Sequence, residues 1–199
     1  MKKLRVLTLA AITFLTSTAF AHEGHYSINT GSTTIEWLGE KVGGEHKGMI
    51  SIKKGDLHFD GDKLSKVSIV MDMTSITCTD IENAEYNAKL IRHLQSDDFF
   101  STASNPEATF TSTSVKLLDA KTGKYEVVGN MTIKGKSHEQ KFEVIATKEG
   151  DKVNASAKIV IDRSNYDVKY GSNSFFEGLG DKVIYDDFNL TVKMVATKH

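Results

Sequence analysis

The sequence predicts an all-β fold, an antiparallel sandwich or barrel carrying one short α-helix. Three observations predict it. Apolar and polar residues alternate along stretch after stretch, as one buried and one wet face require. Glycine-bearing turns separate those stretches. A single segment changes to helical spacing.

The chain opens on a different pattern. Lys2, Lys3 and Arg5 precede an apolar run, Val6 to Leu15, and Ala19-Phe20-Ala21 follows as an A-x-A site. This predicts a secretory signal peptide over residues 1–21, a domain over 22–199, and a periplasmic or secreted location. The run is shorter than the ~20 residues that span a bilayer, so no stable membrane anchor is expected.

Ile35 and Trp37 begin the strand pattern. Val67, Ile69, Met71 and Met73 continue it, then Tyr125, Val127, Gly129, Met131 and Ile133. Phe142, Val144 and Ala146 follow, then Val153 to Ile161 at every second position, and last Phe188, Leu190, Val192 and Met194. Turns are predicted at Lys53–Asp56, Phe59–Asp62, Lys121–Lys124, Lys134–Lys136 and Lys148–Asp151, each carrying a glycine. Between Glu82 and Gln95 the spacing of Tyr86, Leu90 and Leu94 is that of a helix face, with Asp80 in place to cap it. Pro106 opens the strand after the helix, where a missing N–H matters least. Tyr170 to Lys182, rich in Gly and Ser with a Phe pair, reads as a long loop, either a lid over an opening or plain surface.

Composition narrows the function. Lys and Arg number 25 against 26 Asp and Glu, and three of the bases belong to the leader. A mildly acidic body argues against nucleic acid as a partner and against firm docking on anionic lipid. Cys78 is the only cysteine, so no internal disulfide forms. No catalytic set stands out. Asp97-Asp98 and Asp186-Asp187 are neighbours in sequence, which a strand points to opposite faces. Gly129 to Ser137 looks like a phosphate loop, but its spacing and hairpin context are wrong. No cofactor motif is present. His22 and His25 offer the one metal-like pair, and the other histidines show no ligand spacing.

Three motifs carry a family resemblance. His93-Leu94-Gln95-Ser96-Asp97-Asp98-Phe99-Phe100 with Asn105-Pro106-Glu107-Ala108-Thr109-Phe110 is similar to the HLxSxDFF…yPxaxF signature of the YceI-like family. Gly129 to Gly135 is similar to its GxLTikG hairpin, and Ile161-Asp162-Arg163-Ser164-Asn165-Tyr166 to its inRsdfG strand end. The chain departs where Leu90-Ile91-Arg92 replaces the charged entry to the first motif, and where Asp167 follows Tyr166 in place of glycine. The resemblance implies an extended, antiparallel, lipocalin-like β-barrel of about eight strands. It implies a polyisoprenoid or other long-chain amphiphilic lipid as the partner held inside, and a possible homodimer.

The expected lining is the inward set of Trp37, Ile69, Met71, Phe110, Val127, Met131, Phe142, Val144, Ile159 and Phe188. Arg163 and His46 are expected near a mouth, where they would meet a head group. Periodicity assigns these side chains to one face; it leaves open whether the space between them is empty. The reading is a binding protein, not an enzyme. Its alternatives are a filled-core stress or metal-handling protein acting through its surface or its histidine tail, and an accessory to enzymes of quinones or lipids.

Overall fold

The computed structural model describes residues 23–199. The predicted signal peptide and His22 lie outside them. The strands are β1 (Glu23–Ile28), β2 (Thr34–Lys41), β3 (Gly44–Asp60) and β4 (Lys63–Asp72), then β5 (Glu107–Asp119), β6 (Lys124–Ile133), β7 (Lys136–Glu149), β8 (Lys152–Asp162) and β9 (Ile184–Lys198). Helix α1 (Ala84–Gln95) connects β4 to β5.

Neighbouring strands from β2 to β9 pair antiparallel, and β9 pairs back onto β2, closing an eight-strand barrel. Strand β1 takes over from β2 at one end, between β3 and β9. Closure leaves no long edge open to aggregation, which a protein without a disulfide needs.

The two ends differ. At one, tight turns at Gly61, Gly123 and Gly150 join the strands, and all three glycines have positive φ, as does Gly135 at the other end. This tight end is filled. Tyr26 meets Phe59 edge-on at 5.3 Å between ring centroids, and Tyr125 accepts from the Leu64 N–H through its hydroxyl. Val153 and Ala196 are wholly buried beside them. The other end carries the β2–β3 and β6–β7 hairpins, α1 and the β8–β9 connection.

Two expectations need correcting. Lys53–Asp56 is not a turn but lies inside β3, which passes it with a register shift between Ile52 and Lys54. Its glycine serves close packing: a Cβ on Gly55 would stand 2.8 Å from the Ser68 carbonyl oxygen and 2.6 Å from Ile28 Cδ1. Helix α1 is capped by Asn83, whose side chain accepts from the N–H groups of Glu85 and Tyr86. Asp80 is engaged elsewhere.

Candidate functional site

The open end holds an apolar cavity of about 150 Å³. Its walls come from inward positions: Trp37 on β2, Ile50 on β3, Ala108 on β5, Ile133 on β6, Ile161 on β8 and Phe188 on β9. Its roof is α1 and the turn after it. Leu90 and Leu94 lie one helical turn apart and both reach the cavity, as the i, i+4 spacing requires. The chain then folds sharply, with Phe100 N–H donating to the Leu94 carbonyl and Ser101 N–H to that of Ser96. That turn throws Phe99 and Phe100 over the barrel. Phe99 packs on His93 at 4.9 Å, and Phe100 on Phe188 at 6.4 Å.

A second apolar cavity of about 50 Å³ lies deeper, bordered by Ile69, Phe110, Phe142, Val144 and Ile159. Met71, Met131 and Leu190 line both cavities and form the partition between them. Of the ten apolar side chains expected to line the interior, Trp37 and Phe188 reach the outer cavity alone, five reach the inner one, and the two methionines touch both. Val127 touches neither; it is wholly buried in packed core. Sequence reasoning missed the roof. The helix face was visible, but nothing local said that it would cover a barrel mouth.

Arg163 lines the outer cavity while 4% exposed. Its guanidinium donates to the carbonyls of Tyr185, Val168 and Ile184, at 3.1, 2.7 and 3.0 Å, and lies 3.3 Å from Asp186. Burial pushes its pKa down, and the charges of Asp186 and Asp162 push the other way. The side chain clamps the end of β8 to the start of β9, and its donors are engaged within the fold. Asp186 in turn accepts from the Ser174 hydroxyl at 2.6 Å.

His46 lines the mouth together with Glu40 and Lys41. Its Nδ1 lies 2.8 Å from Asp80 Oδ2. The segment carrying Asp80 runs beside β3: Thr77 and Thr79 donate their N–H groups to the carbonyls of Met49 and Lys47. Gly48 permits this approach, since a Cβ there would fall 1.8 Å from the Thr77 carbonyl oxygen. Asp80 also accepts from the Lys47 N–H at 2.9 Å and from the Cys78 thiol at 3.3 Å. Burial works to raise its pKa, but the hydrogen bonds from Lys47, His46 and Cys78 outweigh it and hold the pKa at about 2. Burial raises the pKa of the Cys78 thiol, which suits an inert side chain.

The loop Tyr170 to Lys182 does not roof the apolar cavity; none of its residues lines it. Tyr170 packs on His93 at 4.5 Å, and the loop borders a separate groove whose charged residues include Asp97, Asp98 and Lys134. His25 faces outward on β1, 2.9 Å from Asp56, and stacks on His58 and His199. Among the described residues no three His, Cys, Asp or Glu side chains are grouped to hold a metal ion. No helix among them is long and apolar enough to cross a membrane.

A closed antiparallel barrel with an apolar cavity under a helix defines a lipocalin-like protein. The chain belongs to the YceI-like domain family, which it matches over residues 26–196. It is 28% identical to Protein YceI of Salmonella arizonae over 97% of its own length and 89% of that protein's. It is 37% identical to a UPF0312 protein of Vibrio parahaemolyticus, over 45% of this chain and 43% of that one, so the match spans less than half of that relative. A polyisoprenoid binding domain from Saccharophagus degradans, implicated in plant cell wall breakdown, has the same fold with a TM-score of 0.64 and 14% identity, over 87% of this chain and 98% of that one. BcnA of Burkholderia cenocepacia is similar at a TM-score of 0.64 and 22% identity, over 85% and 99%.

Proposed function

We propose that this protein is an exported carrier, acting in the periplasm or outside the cell, that holds a polyisoprenoid or similar long-chain lipid in its barrel by reversible burial, without catalysis. The carrying observation is the apolar cavity under α1, continued past Met71 and Met131 by a second apolar space. Each buried CH₂ contributes about 0.8 kcal/mol, so a linear hydrocarbon binds such a space without further recognition. Volume sets the terms. A dry cavity of about 150 Å³ takes a molecule the size of benzene. A chain of several isoprene units therefore needs the methionine partition to yield, and methionine is the apolar side chain best able to re-pack. The binding activity in the name of the Saccharophagus domain agrees with this reading.

The test is organic extraction of protein purified from its own host, followed by mass spectrometry. The proposal expects a long-chain lipid in near-stoichiometric amount. Protein that yields none, and that takes up none when polyprenols are added, contradicts it.

A further inference from the structure

The reading above leaves the polar end of the guest unassigned, and the mouth of the cavity contains a built site for it. Asp80 is ionised at neutral pH and has no proton to give, so Nδ1 of His46 must be the donor in their 2.8 Å contact. A neutral imidazole carries one proton. With it on Nδ1, the other ring nitrogen, Nε2, presents a lone pair. Among the described residues Nε2 has no partner. His46 stands on the same face of β3 as Ile50, four residues further on, and both side chains line the cavity.

Asp80 reaches this place only through the structure around it. It is held by the Lys47 N–H and the Cys78 thiol, on a segment that runs against β3 because Gly48 lacks a side chain. The arrangement is that of a histidine ligand whose orientation and tautomer are set by a carboxylate behind it.

We propose that His46, positioned by Asp80, accepts a hydrogen bond from the hydroxyl of a long-chain alcohol whose hydrocarbon tail fills the cavity.

The surrounding charges favour a neutral head over a phosphate. The other titratable side chains lining the cavity are Glu40, Lys41, Arg163 and Tyr185. Arg163 is engaged by three carbonyls and by Asp186. Lys41 is offset by Glu40, and Asp80 adds a further negative charge behind the ring. A phosphate would find one available ammonium and two carboxylates. An alcohol finds an acceptor that has no partner among the described residues.

This inference rests on the carrier reading, and the experiment separates the two. Trp37 is the only tryptophan and lines the cavity, so its fluorescence reports a bound guest. Affinities for farnesol, farnesyl methyl ether and farnesyl phosphate are measured at pH 8 for the protein and for His46→Phe, His46→Gln and Asp80→Asn. The three probes share one tail and differ at the head: a donor, no donor, and an anion. The expected result is farnesol tighter than either of the others by about 3- to 10-fold, the range of one net hydrogen bond. His46→Phe abolishes the preference and still binds the ether; His46→Gln, which keeps an acceptor, retains part of it. In Asp80→Asn the preference weakens and the ¹⁵N spectrum of His46 moves from the Nδ1-protonated form toward a mixture, a change that lost stability alone does not produce. Equal binding of farnesol and its ether, tightest binding of the phosphate, or a preference that survives His46→Phe overturns the head-group assignment while leaving the carrier reading intact. Failure of all three probes to bind overturns both.

Discussion

Met71 on β4 and Met131 on β6 each touch both cavities, and with Leu190 they are what divides the barrel interior. Both are nearly fully buried. A guest longer than the outer cavity must pass between them, so this pair sets the chain length the barrel accepts. Replacement of Met131 by Phe thickens the partition. Binding of a series of alcohols of increasing length, read by Trp37 fluorescence, should then peak at a shorter chain than in the parent. The overpacked core should lose about 1–3 kcal/mol of stability. An unchanged length profile would remove the methionines from the account.

Arg163 is a structural clamp before it is anything else. Arg163→Leu leaves the carbonyls of Val168, Ile184 and Tyr185 without their donor and Asp186 without its nearby charge. Breaking a buried pair in this way costs about 3–5 kcal/mol, which urea denaturation should show as a lower midpoint. Lysine should not rescue it, because one ammonium cannot meet three carbonyls set around a planar fork.

Asp80 gives stability a defined pH dependence. Its pKa falls from an ordinary value of 3.8 to about 2 on folding. A depressed carboxyl pKa stabilises the fold above the unfolded value, and that contribution fades as pH falls from about 4 toward 2. The shift corresponds to about 2 kcal/mol. Asp80→Asn should therefore lower stability at pH 7, and the gap to the parent should narrow across that acid window. A gap that stays constant from pH 7 to pH 2 would show that the charge of Asp80 contributes nothing.

Gly48 carries the close approach that brings Asp80 to His46. In Gly48→Ala the new methyl meets backbone, the Thr77 carbonyl, at a distance that no rotamer change relieves. The expected outcome is displacement of residues 77–80 from β3. Faster hydrogen exchange at the N–H groups of Thr77 and Thr79 would report it, along with a stability loss above 1 kcal/mol, larger than the usual Gly-to-Ala effect.

Much of this was legible in the sequence, and the limits have a physical cause. Strand faces follow from a period of two, and four of the five predicted turns are the observed hairpins. Lys53–Asp56 deceived because charge and glycine mark a bulge within a strand as readily as a turn. Val127 and Phe142 are cross-strand partners, yet only Phe142 borders a void, since empty space depends on all the strands around the section and not on the residue. Arg163 finds its partners 5 to 23 residues away, and three of them are backbone carbonyls, which no residue type betrays. The pairing of His46 with Asp80 spans 34 residues and depends on a segment that no periodicity describes.

The central claim is that an aliphatic chain lies inside this barrel, and Trp37 allows a direct measurement. Long-chain alcohols brominated at successive carbons are titrated into the protein, because bromine quenches an indole only at close range. The account predicts saturable quenching at one guest per chain, strongest for bromine on the carbons that pass Trp37 and weaker for those driven past Met71 and Met131. Quenching that never saturates, or that is equal for every bromine position, would place the guest on the surface and contradict the claim.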